Sequence, residues 1–226
     1  MKTEKQIQET MLYDFTQNRP RSSNQAIYQK LIFYRFEETL KNLASRFCSL
    51  ASEPELENSL QLFIAHSSPP ALVWQIIDLY RKFIKKQKLF HHKKYIYDVL
   101  LLECLQLDIL MQEKPPLRTQ SFAWQNTYKL AKWAKVARLS YSITSKDVER
   151  KEQNFLLVYY DFITHNVFCR SIDDFFYFLL KRLDKSLSLE QCIYWLCDEN
   201  DIQSEQVFQA LQEPLQQLII DRVIVC

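Results

Sequence analysis

The chain has no glycine among its 226 residues, and this absence constrains it more than any motif it carries. Phosphate-cradling loops, the dinucleotide-binding fingerprint and the nucleophile elbow all need a close backbone approach or a positive φ, which glycine supplies at least cost. Those enzyme classes are excluded. Helix ends and tight turns must then be served by asparagine, aspartate or serine, with Asn18 and Asn200 the expected helix caps. The composition is otherwise that of a folded chain, 47% hydrophobic and 14% aromatic, with a net charge of +2. That is too apolar and too neutral for disorder, and the length suits one large domain or two small ones.

No apolar run reaches the roughly 20 residues of a membrane span. The opening residues from Met1 are polar and lack the apolar stretch of a signal peptide, so the expected location is cytoplasmic. The six cysteines fit reduced core thiols: only Cys192 and Cys197 lie close, and their spacing is not that of a zinc or redox pair. The histidines His66, His91, His92 and His165 lack the i, i+4 spacing of a metal pair. Acidic pairs such as Glu37/Glu38 and Asp173/Asp174 lie in polar surroundings. No catalytic set, metal site or cofactor is expected on this chain.

Hydrophobic periodicity divides the sequence in two. An amphipathic start spans Ile7 to Phe15. A helix over 25–50 is expected to turn Ile27, Leu31, Tyr34, Phe36, Leu40, Leu43 and Phe47 inward. Another opens near Pro54 and is broken by Pro69 and Pro70. Two more cover about 71–87, with Val73, Ile76, Ile77, Tyr80 and Ile84 inward, and about 92–112. The stretch around Pro115 and Pro116 is the expected boundary between a helical N-terminal domain, 1–113, and a second domain, 120–226. In the second, residues 122–143 are read as a mixture of strands. The runs Phe155–Tyr160 and Val167–Arg170 read as strands around a turn at 161–166. Helices follow at about 171–183, 188–198 and 203–219, the first two opened by Ser171 and Ser188, and a β-like tail ends the chain. The fold class is mainly α with a small β component, the second domain winged-helix-like.

Two charge features bear on partners. Residues 81–94 hold seven lysines and arginines and no acid, interleaved with Phe83 and Phe90. Such a segment suits nucleic acid, an acidic protein partner, or a solvated helix face. Between Ser186 and Asp221 the signs reverse, with seven acids and no lysine or arginine. A phosphate wall would repel the helices that a winged-helix DNA reader inserts, which argues against DNA recognition there. What remains is a sheet edge beside an apolar helix, the setting in which peptides bind as an added strand. The candidate edges are Phe155–Tyr160 and Val167–Arg170, and the candidate helix carries Phe175, Phe176, Phe178 and Leu179.

Several segments, taken in order, resemble one family. They are IYQKLIFYRFEETLKNLASRF (27–47), YDVLLLE (97–103), FLLVYYD (155–161) with Val167 after it, and SLEQ (188–191). Together they resemble the partner proteins of multinuclear non-haem iron oxidative enzymes in ribosomal-peptide pathways, such as methanobactin biosynthesis, some of them once labelled DNA-binding on fold grounds. The chain departs from that family at Cys48, where proline is common, and at Tyr160, where arginine is usual. The resemblance implies a non-catalytic subunit that captures the leader of a precursor peptide. A separate iron-dependent TIM-barrel enzyme, which carries the iron, would then oxidise cysteines in that peptide. On this expectation Phe155, Leu157, Tyr159, Val167, Phe175 and Phe178 serve the peptide. Arg81, Lys82, Lys85 and Lys86 serve docking to the enzyme. The rival expectation is a DNA-binding transcriptional regulator using segment 81–94.

Overall fold

The computed structural model describes residues 23–66, 72–114, 121–144 and 147–226. The amphipathic start at Ile7–Phe15, the proposed cap Asn18, the break at Pro69–Pro70 and the prolines of the expected boundary lie outside the described residues. Among the described residues there are eight helices and six strands, so the chain is mainly α with a small β component. It divides into two compact units, Met1–Cys104 and Leu105–Cys226.

The first unit holds α1 (Ser23–Leu43), α2 (Ser45–Leu50), α3 (Glu53–His66), α4 (Gln75–Lys86) and most of α5 (Tyr95–Met111). The expected single helix over 25–50 is two, because Ala44 leaves helical geometry at φ −136°, ψ 51°. The cap for α2 comes from far along the chain. Glu103 on α5 accepts the Arg46 N–H at 2.9 Å and the Phe47 N–H at 3.2 Å, so two donors of a helix start are satisfied. At α3, Glu55 reaches back to the Ser52 N–H at 2.8 Å, the glutamate half of a capping box.

The core of this unit is aromatic. Tyr80 packs edge-on against Phe47 at 5.7 Å and Phe63 at 5.4 Å, and its hydroxyl meets that of the buried Ser59 at 2.6 Å. Ile76, Ile77 and Ile84 are buried as the periodicity predicts, but Val73 precedes α4 and is exposed. A second correction falls on α1. Ile27, Leu31 and Tyr34 are 55%, 61% and 58% exposed, while Leu40 is fully buried. Among the described side chains it is the C-terminal part of α1 that reaches the core, where Phe36 meets Phe63 at 6.0 Å.

The second unit is built on two antiparallel three-stranded sheets. One is a meander of β2 (Ala134–Tyr141), β3 (Lys151–Asp161) and β4 (Asn166–Ile172), with β3 in the middle. The other orders β5 (Asp184–Ser188), β1 (Thr127–Leu130) and β6 (Ile224–Val225) as β5-β1-β6. Helices α6 (Asp174–Arg182), α7 (Leu189–Asn200) and α8 (Ser204–Ile220) complete it. The strand mixture expected over 122–143 resolves into β1 and β2, and the tail into β6. Sequence reading did not anticipate β5, a short polar strand that leads directly into α7.

Four consecutive residues of β3, Phe155 to Val158, are buried, so both faces of the meander are covered. On one face Phe155 meets Tyr177 of α6 at 4.7 Å. On the other, Lys135 of β2 pairs with Asp108 near the end of α5 at 3.4 Å.

Turns manage without glycine by local side-chain bonding and, among the described residues, by five left-handed ones: Lys88, Phe90, His165, Asp201 and Arg222. In the β3–β4 turn Asp161 accepts the Ile163 N–H at 3.2 Å and the Thr164 N–H at 3.0 Å. The left-handed cap of α7 is Asp201 rather than the expected Asn200, whose side chain bonds the Leu196 carbonyl at 2.8 Å instead. The cap of α6 is Asp173, which accepts the Phe176 N–H at 2.7 Å, and not Ser171, which belongs to β4. Ser188 caps α7 as expected, in a full capping box with Gln191.

Candidate functional site

The two candidate sheet edges fare differently. Phe155 to Tyr160 is no edge: β3 pairs with β2 on one side, Ala134 opposite Tyr159, and with β4 on the other, Phe155 opposite Ile172. Its backbone donors and acceptors are taken, so the expectation that this segment could pair with a peptide is corrected. The hydrophobic run read as accessible is hydrophobic because it is central. Val167–Arg170 lies on β4, whose outer side has no strand partner among the described residues.

Because side chains alternate along strands, Phe168, Arg170 and Ile172 of β4 share the α6 face with Phe155, Leu157 and Tyr159. Val167, half-buried opposite Tyr160, lies on the other face. Phe155 and Leu157 are buried, and Tyr159 is half-buried, with burial raising its phenol above the usual range. Tyr159 stacks on Phe168 at 6.3 Å, and Phe168 is 44% exposed. Phe178 is 47% exposed, and its ring lies 6.3 Å from Phe155. Phe175, in the first turn of α6, is half-buried. The structure thus brings Phe155 and Phe178 together at one end of this face and leaves Phe168 open at the other. Phe168 is not among the expected peptide residues, although its alternation with Val167 and Cys169 marks it as facing away from both.

Cations border the same face. The Arg138 guanidinium lies 5.9 Å from the Phe155 ring centre, and the Lys181 ammonium lies 5.6 Å from that of Tyr177. Arg170 stands opposite Leu157 and is exposed.

The basic segment of the first unit is partly neutralised at home. Arg81 and Lys82 share Asp78, at 2.7 and 2.6 Å. Burial pushes the Asp78 carboxyl up, but the hydrogen bonds from Lys82 and Arg81 outweigh it and hold the carboxyl below its ordinary range. His92 and Lys93 share Glu55, both at 2.8 Å. Lys85, Lys86, Lys88 and Lys94 are exposed, with no acid paired to them among the described residues. Four open lysines, two of them among the expected docking residues, are the charge this segment presents.

Four of the six thiols are held away from the thiolate form by burial. Burial pushes Cys48 up to about 11 and Cys104 up to about 12, and it also raises Cys192 and Cys197. Among the described residues no three histidine, cysteine, aspartate or glutamate side chains stand together as a metal ligand set would. No described helix is long and apolar enough to cross a membrane.

The second unit is therefore a sheet-and-helix module in which β4, one of the two edge strands of the meander, lies in the sheet that packs on a partly exposed aromatic helix. Residues 123–219 match the family model of the HvfC C-terminal domain, a family linked to partner proteins of oxidases that modify ribosomally made peptides. The matched segment begins just before β1 and ends within α8, and it covers less than half of the chain. Among curated proteins the chain has no match.

Proposed function

We propose that this protein is a non-catalytic accessory subunit of a ribosomal-peptide-modifying system. It binds the leader of a precursor peptide along β4 and presents the peptide to an iron-dependent oxidase that modifies cysteines. The observation that carries the reading is the HvfC C-terminal match, which spans the meander and all three helices around it except the end of α8. The open edge of β4, with Val167 and Phe168 on its two faces, suits strand addition. Phe178 over Phe155, and Phe175 on the same helix, offer apolar contact beside it. Leu157 and Tyr159 act from beneath, as the support of β4. Docking to the TIM-barrel enzyme falls to the basic segment, through Lys85 and Lys86, with Arg81 and Lys82 held toward Asp78.

Proline scanning of β4 tests the strand-addition step. Successive N–H groups of an edge strand point alternately to its neighbour and to solvent. Of Phe168→Pro and Cys169→Pro, one breaks the β3–β4 ladder and the other removes an outward donor. The outward variant is expected to keep its circular dichroism while losing affinity for the precursor peptide. Unchanged affinity in a folded outward variant would contradict pairing at β4.

A further inference from the structure

The face shared by α7 and α8 has its own chemistry, separate from the β4 edge. Four rings run edge to face across it: Phe122 to Trp124 at 4.7 Å, Trp124 to Phe208 at 4.9 Å, and Phe208 to Tyr194 at 5.2 Å. Tyr194 is 45% exposed, and Trp124 and Phe208 are half-buried. Helical spacing places Glu190 and Asp198 one turn to either side of Tyr194, and Glu205 one turn before Phe208. None of these three acids has a cationic partner among the described residues, and no lysine or arginine occurs between Ser186 and Asp221. Glu190 and Glu205 lie in first turns, where the helix dipole favours them. Asp198 lies in the last turn of α7, where the same dipole disfavours a carboxylate. The next residue along from Tyr194 shows what such rings accept: the guanidinium of Arg182 lies 3.3 Å from the Trp195 ring centre.

We propose that this acid-flanked aromatic row is a docking surface for an arginine- or lysine-bearing segment of a protein partner. The cation lies over Tyr194 or Phe208, and Glu190, Asp198 and Glu205 neutralise it. Aromatic faces attract cations through the ring quadrupole, and carboxylates beside the ring add the charge that selects a basic partner over a merely apolar one. The assignment stands apart from peptide pairing at β4, and neither depends on the other.

The test uses the full chain and two labelled eight-residue probes, one alternating arginine with leucine and the other alternating glutamate with leucine. Fluorescence anisotropy is read at low and at moderate salt. The arginine probe is expected to bind and the glutamate probe to fail. Tyr194→Leu, which keeps an apolar side chain but removes the ring, is expected to weaken binding severalfold. The pair Glu190→Gln and Asp198→Asn is expected to weaken it about tenfold and to flatten its salt dependence. Absence of binding by the arginine probe, equal binding of both probes, or unchanged affinity in Tyr194→Leu and in the acid pair would each overturn the proposal. All three positions are exposed or half-buried and are not part of the core, so the variants are expected to fold, which circular dichroism checks.

Discussion

Lys88 holds a left-handed backbone, φ 55°, with its side chain in solvent and no acid paired to it among the described residues. A side chain with a Cβ costs roughly 1–2 kcal/mol in that conformation, while glycine loses about 0.5–1 kcal/mol through the greater freedom of the unfolded chain. Lys88→Gly is therefore expected to stabilise the first unit by about 0.5–1 kcal/mol, read as a higher urea midpoint at unchanged slope. The opposite sign belongs to Glu103. Burial raises its carboxyl above the ordinary range, against the pull of the Arg46 and Phe47 N–H groups that it accepts. Glu103→Ala removes the acceptor that both helix-start donors share, and is expected to cost about 1–3 kcal/mol. Glu55 makes a prediction in pH. Burial would raise it, but hydrogen bonds from Lys93 and Ser52 pull it down to about 2 from an ordinary 4.5. Its stabilisation is complete above the ordinary value and is lost as pH falls toward the folded one. Glu55→Gln should flatten the acid limb of a stability-against-pH curve below about pH 4.5.

At the scale of elements, Leu157 separates a structural role from a binding one. It is fully buried on a strand paired on both sides, so Leu157→Ala is expected to cost roughly 2–5 kcal/mol of stability. A loss of peptide affinity in that variant would follow from the loosened sheet. The periodicity of α4, the hairpin of β3 and β4, the Ser188 cap and the three late helices were all legible, because each is written in local spacing or local hydrogen bonding. The standing of β3 as a central strand was not. Phe155-Leu-Leu-Val could be an edge packed on a helix or a centre covered on both faces, and only the non-local pairing with Ala134–Leu139 decides it. The same holds for Asp173 over Ser171, two good capping residues two positions apart, where the end of the β4 ladder at Ile172 selects the second. Exposure of Ile27, Leu31 and Tyr34 was equally hidden, since a 3.6-residue stripe records a preference for burial and not the presence of a neighbour.

For the whole molecule, the charge divides by region. Lysines with no acid paired to them among the described residues crowd the end of α4 and the turn after it, and acids with no cation paired to them among the described residues crowd α7 and α8. On the proposed function such regions would serve as separate addresses for different partners, and the overall charge of +2 conceals them. Affinity purification of the tagged full chain from its native host is the test of the proposed role as accessory subunit of an iron-dependent peptide oxidase. Mass spectrometry and a metal assay would be run on each component recovered. The expected result is an iron-bearing enzyme in constant ratio to this chain, together active on a cysteine-containing peptide, with activity lost when this chain is withheld. Recovery of DNA without such an enzyme, or full activity of the enzyme without this chain, would contradict it.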